Sequence, residues 1–272
     1  MKTRIPRLAR GSALVCLALA FLALAAFTLT ARASARPFAR SARLIDASAR
    51  ATKDGALRAK DPSRPLALRE EGRTILAFPP RAPTTPRPLT VVYLHGLHGR
   101  AENGCPWLRR GASEVGWLVC PEANARLDNG TFSWSGPIAE ERAVVARAER
   151  AAQRQGADPD TAGVLVGFSQ GAFVALDLVG ARLGRYRGLV LIGADVEPSR
   201  ATLAAAGVER IVLVAGDLDA ASSTMKRATA RLRREGVDAR FVSLGPVGHT
   251  YASPEPQALD DAIAWAGGGE RG

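Results

Sequence analysis

From residue 88 onward the chain alternates, again and again, between short aliphatic runs and segments of helical periodicity. PLTVVYLHG, VGWLVCPE, AGVLVGFSQG, GLVLIGAD, RIVLVAGD and ARFVSLG are each closed by Gly, Pro, Asp or Glu. Their apolar residues are unbroken rather than alternating with polar ones, so such strands have both faces buried. AEERAVVARAERAAQ, GAFVALDLVGARL and STMKRATARLRRE lie between later strands, and PQALDDAIAWAGG follows the last. These four carry apolar positions near a 3.6-residue period. Strands covered on both faces and joined through helices dictate an α/β architecture: a mostly parallel central sheet with helices on both faces. RTILAFPP adds one earlier strand. A hydrophobic share of 47% in 272 residues is ample for one packed core.

The front of the chain obeys other rules. MKTRIPRLAR is basic, ALVCLALAFLALAAFTLT is apolar, and ARASA offers small residues for cleavage after Ala33 or Ala35. Residues 1–35 therefore read as an export signal. The same run is long enough to serve as an uncleaved N-terminal anchor, which is the only route by which this chain would meet a membrane. Residues 36–66 are rich in Arg, Ala and Pro without periodicity and read as a tether. The catalytic domain is expected over 67–272. The expected location is outside the cytoplasm, periplasmic or extracellular. Cys105 and Cys120 are the two cysteines left after the signal, an even pair suited to a disulfide between the loop after one strand and the end of the next. Two buried thiols are the other reading.

Net charge is +11, but five of those charges (Lys2, Arg4, Arg7, Arg10, Arg32) belong to the first 35 residues. The remaining arginines scatter over helix faces without an aromatic-interleaved basic stripe or a recognition-helix motif. Nucleic acid is accordingly not an expected partner.

On a parallel sheet, functional groups gather at the carboxyl ends of the strands. The strand VLV runs into GFSQG and then a helix, which places Ser169 on a strand-to-helix turn. A serine in so tight a turn needs residues without side chains two before and two after it, and Gly167 and Gly171 stand there. The hydroxyl then needs a base. Of three histidines, His249 in GPVGHTY follows the last strand and can project from a loop. The acid has three candidates on strand-ending loops: Asp219, then Asp195, then Asp217. Any of them could instead be a turn or capping aspartate. Ser, Asp, His is the chain order of α/β-hydrolases. Oxyanion donors are expected from the backbone N–H of Gln170 and from the loop His95-Gly96-Leu97-His98-Gly99, Leu97 before His98. His95 and His98 as a metal pair is a weaker alternative, since no third ligand stands nearby. Neither metal nor cofactor is expected.

LHGLHG, GFSQG, AGDLD and GHTY resemble the corresponding motifs of the phospholipase/carboxylesterase branch of the α/β-hydrolases, which includes acyl-protein thioesterases and has dienelactone-hydrolase-like relatives. The resemblance spans roughly residues 72–268. It implies the α/β-hydrolase fold, Asp219 as the acid of a Ser169–His249–Asp219 triad, and Leu97 and Gln170 as the oxyanion hole. TFSWSG resembles the segment beside the family's acyl pocket, so Trp134, with His98, is assigned to the substrate pocket. Asp219 is followed by Ala-Ala-Ser where relatives often carry Pro and an apolar residue. The implied activity is hydrolysis of carboxylic esters of small molecules, short-to-medium acyl groups preferred, with thioesterase, peptidase and non-catalytic binding roles as alternatives.

Overall fold

The computed structural model describes residues 64–81 and 87–269. The expected signal, and the tether apart from its last residues, lie outside them. Eight strands form one sheet in the order β1-β2-β4-β3-β7-β8-β9-β10. They are β1 (Leu66–Glu70), β2 (Arg73–Phe78), β3 (Leu89–Leu94), β4 (Gly116–Pro121), β7 (Gly163–Phe168), β8 (Tyr186–Ile192), β9 (Arg210–Ala215) and β10 (Asp238–Ser243). The six from β4 to β10 are parallel, while β1 and β2 run antiparallel at one edge. The small strands β5 (Ala125–Arg126) and β6 (Phe132–Ser133) make a separate antiparallel ribbon.

The unbroken aliphatic runs are divided strictly by alternation. In β3, Val92 and Leu94 enter one apolar layer and Val91 and Tyr93 the other. The first layer is covered by α2 (Ile138–Gln153), α3 (Gln170–Gly180), α4 (Arg200–Ala205) and α5 (Ser222–Arg234). The second is covered by α1 (Ala101–Val115) and α6 (Pro256–Ala266).

Three departures from the sequence reading stand out. Strand β1 begins inside the segment assigned to the tether. Cys105 lies within helix α1, not in a loop, and is bonded to Cys120 of β4. Helix α1 itself is absent from the helical segments of the sequence reading, and it contains Gly104, Pro106 and Gly111. Those glycines serve packing. A Cβ at Gly104 would lie 2.1 Å from the Tyr93 hydroxyl, and one at Gly111 2.4 Å from the Asp260 carbonyl oxygen. Close contact with β3 and α6 therefore outweighs their poor helix propensity.

Candidate active site

Ser169 stands between the end of β7 and the first turn of α3 with φ 52° and ψ −118°, a left-handed backbone that a side chain tolerates only under constraint. The constraint is crowding of main chain. A Cβ at Gly171 would lie 2.2 Å from the Leu94 carbonyl oxygen, and one at Gly167 2.3 Å from that of Gly171. The serine N–H donates to the Ile192 carbonyl at 2.8 Å, tying the turn to β8. Its Oγ does not cap its own helix. It lies 2.9 Å from His249 Nε2 instead.

His249 Nδ1 is 2.9 Å from Asp219 Oδ2. With Nδ1–H donating to the carboxylate, Nε2 is left as the acceptor for the serine proton. Asp219 is buried, its side chain 3% exposed, whereas the histidine is 50% exposed. Oδ1 of the same carboxylate accepts the Ala221 N–H. The two loops carrying acid and base are laced together by backbone bonds, Asp217 N–H to Gly245 and Leu218 N–H to Val247. The pair is thus positioned before any substrate arrives.

The other aspartates are elsewhere. Asp195 is exposed on the loop after β8 and is not bonded to His249. Asp217 accepts from the Ser243 hydroxyl at 2.8 Å and sits 3.6 Å from Lys226. It closes the end of β10 instead of orienting the imidazole.

The loop after β3 lies against Ser169, since a Cβ at Gly96 would be 3.1 Å from that of the serine. Leu97 follows directly and is exposed, and His98 is exposed with φ 53°. Gln170 opens α3, where N–H groups have no partner within the helix. Buried His95 shapes this loop: Nδ1–H donates to the Gly96 carbonyl and Nε2 accepts the Ala123 N–H. Both ring nitrogens are thereby spent within the protein, which removes His95 from the metal-pair alternative. Trp134, assigned to the pocket, is buried in the core, with its indole N–H on the His95 carbonyl at 2.9 Å.

Four residues and the side chain of Gln170 escaped the sequence reading. Phe168 packs beside the imidazole at 5.0 Å between ring centres and meets Tyr251 edge-on at 4.8 Å; Tyr251 in turn reaches Trp107 of α1. Gly193, with φ +57°, leaves room for the acid–base pair, since its Cβ would lie 3.0 Å from Asp219 Oδ2 and 3.2 Å from the ring. Its place directly after a strand in LIGAD was the available signal. The Gln170 side chain grips the segment after β5. Its Oε1 accepts from the Trp134 N–H (3.1 Å) and the Ser133 hydroxyl (3.2 Å), and its Nε2 donates to the Trp134 carbonyl (2.9 Å).

No family model and no curated protein matches the chain. Solved structures do. The substrate-bound fluorophosphonate-binding serine hydrolase F of Staphylococcus aureus superposes with a TM-score of 0.52 at 16% identity, covering 72% of this chain and 92% of its own. S-formylglutathione hydrolase from the same organism gives 0.51 at 17%, with 72% and 92% covered. A hyperthermophilic esterase of the archaeon Pyrobaculum calidifontis gives 0.51 at 15%, with 75% and 83% covered. The chain thus has the fold of these structures, the α/β-hydrolase fold.

Proposed function

We propose that the protein is a serine hydrolase that cleaves carboxylic esters of small molecules through an acyl-enzyme. The observation that carries this reading is the unbroken relay Asp219 Oδ2, His249, Ser169 Oγ with both links at 2.9 Å. In the reaction His249 Nε2 takes the serine proton as Oγ attacks the ester carbonyl. Asp219 holds the ring and stabilises the imidazolium. The N–H groups of Leu97 and Gln170 receive the charge that develops on the carbonyl oxygen. His249 then protonates the leaving alcohol. Water, activated by the same nitrogen, releases the acid and restores the serine.

The half-exposed imidazole and the exposed Leu97 and Leu218 beside the relay favour an open, apolar-rimmed site. That suits short-to-medium acyl groups better than long lipids. An N-terminal leader together with a Cys105–Cys120 disulfide supports action outside the cytoplasm, in the periplasm or beyond.

Hydrolysis of a chromogenic ester series from acetyl to palmitoyl tests the reading. The purified protein is expected to be most active on the shorter members, and Ser169→Ala to lose at least about 10⁴-fold while keeping its fold. Equal rates in parent and variant, or none with any ester, would overturn it.

A further inference from the structure

The ribbon held by Gln170 has a second side. A cavity of about 450 Å³ lies there, between the ends of β2 and β4, helix α2 and the ribbon. Its apolar wall is Ile75 of β2, Phe132 of β6 and Val144 of α2. Its charge comes from three arginines on three elements: Arg73, Arg126 and Arg147. Arg126 stands directly opposite Phe132 in the ribbon, and Arg73 shares a strand face with buried Ile75.

The arginines are underused. Arg147 is 3.5 Å from Glu71, at the outer reach of a hydrogen bond. The guanidinium groups of Arg73 and Arg126, both on exposed residues, form no hydrogen bond or ion pair with another described side chain. This contrasts with neighbouring Arg150 and Arg154, which both pair with Glu70. The carboxylate on the lining, Glu122, is held by the main chain, its Oε2 accepting the Ala101 N–H, and is outnumbered by the three arginines. Cationic charge in excess over an apolar wall is complementary to an organic anion with an apolar body.

The cavity also lies toward the carboxyl ends of the parallel strands, the end of the sheet that carries Ser169. Pro121 ends β4 opposite Ile75, and Leu94 ends β3 opposite Gly167, two residues before the nucleophile. Strands β4 and β2 are two and three positions from β7. At the usual strand spacing this sets the cavity roughly 10 to 15 Å from Ser169.

We propose, resting on the ester-hydrolase reading, that this cavity is a distal subsite for the free carboxylate end of the substrate. The substrate class is then the half-ester of a dicarboxylic acid. Its ester carbonyl sits at Ser169, its chain crosses the ribbon, and its carboxylate is received by Arg73 and Arg126.

The test uses two 4-nitrophenyl esters of equal acyl length, one neutral and one ending in a carboxylate. The parent is expected to favour the anionic ester about tenfold in kcat/KM, through KM, with the preference shrinking as salt rises. Arg73→Ala/Arg126→Ala brings the ratio to about one, and Arg73→Lys/Arg126→Lys keeps most of it. An equal or lower rate on the anionic ester in the parent overturns the subsite while leaving the hydrolase reading intact. Inactivity on both esters sinks the hydrolase reading instead. Calorimetry then judges the cavity alone: the half-ester should bind Ser169→Ala protein and lose that binding when Arg73→Ala/Arg126→Ala is added. Absence of binding to the Ser169→Ala protein overturns the subsite as well.

Discussion

Two structures meet at Ser169 and are held by opposite means. The elbow at 167–171 is fixed by main chain pressed against main chain, with backbone atoms where any Cβ at Gly167 or Gly171 would go. The ribbon of β5 and β6 is fixed largely by side chains, one glutamine amide on Ser133 and Trp134 and one indole N–H on the His95 carbonyl, beside a backbone bond from the Phe132 N–H to the Gly99 carbonyl. A scaffold of the first kind should fail abruptly under small changes. One of the second kind should loosen by degrees.

The largest effect belongs to the acid that both scaffolds leave untouched. Asp219→Asn keeps the shape but favours the wrong imidazole tautomer, and a fall of about 10⁴-fold in kcat is expected. Asp195→Asn and Asp217→Asn, neither bonded to His249, should stay within about twofold of the parent. Steady-state kinetics on one ester decides. A comparable loss in Asp195→Asn would move the acid to the neighbouring loop.

Next comes the elbow itself. Gly171→Ala drives a methyl into the Leu94 and His95 carbonyls, so α3 must shift away from β3. Overpacking against backbone costs about 3 kcal/mol. A denaturant midpoint shift of that size, with activity nearly abolished, is expected. Unchanged stability would mean that the crowding is relieved by a small rotation and that the elbow is less tightly determined than its geometry implies.

This contrast explains what could be read from the chain. Gly-x-Ser-x-Gly is legible because its sterics are local: five consecutive residues state the requirement. The relay was legible for a related reason, as each member stands on a turn or loop that follows a strand of a parallel sheet. Where aspartates competed, burial decided, and burial is a property of the assembled loops. Helix α1 was hidden because Gly104 and Gly111 answer to Tyr93 and Asp260, the latter about 150 residues away, and not to their own helix. Trp134 was given to the pocket by likeness, while its indole N–H is spent on a buried carbonyl that no local pattern announces. The ribbon and the arginine cavity behind it depend on such distant pairings throughout.

The disulfide sharpens the comparison from the ribbon's side. Cys105–Cys120 joins α1 to the strand that leads into the ribbon, with a sequence separation of 15 residues. Closing a loop of that size is worth about 3 kcal/mol against the unfolded chain. Cys105→Ala/Cys120→Ala should therefore lower the melting temperature by roughly 6–12 °C. Activity at 25 °C should stay within a few-fold, because neither sulfur touches the relay. An equally stable variant would show that α1 is secured by its packing on β3 and α6 alone.

The smallest effect is the most discriminating. Gln170 contributes its N–H to the proposed oxyanion hole and its side chain to the ribbon, and substitution separates the two. Gln170→Leu keeps the backbone donor and roughly the volume, but strips three hydrogen bonds from Ser133 and Trp134. With each of these part-buried bonds worth about 0.5 kcal/mol, roughly one to two kcal/mol of stability should be lost. The catalytic cost should be about tenfold, because the ribbon braces the turn that aims the residue 170 N–H, while the relay is intact. Gln170→Glu retains an acceptor for the Trp134 N–H but loses the donor to its carbonyl, and should fall between the two. Labelling of Ser169 by a phosphonate probe reads the relay directly. It should proceed in both variants, slowed in the same order as ester turnover. If turnover drops while labelling does not, the ribbon acts on the substrate's far end and not on the elbow, and the two scaffolds are joined by what they bind.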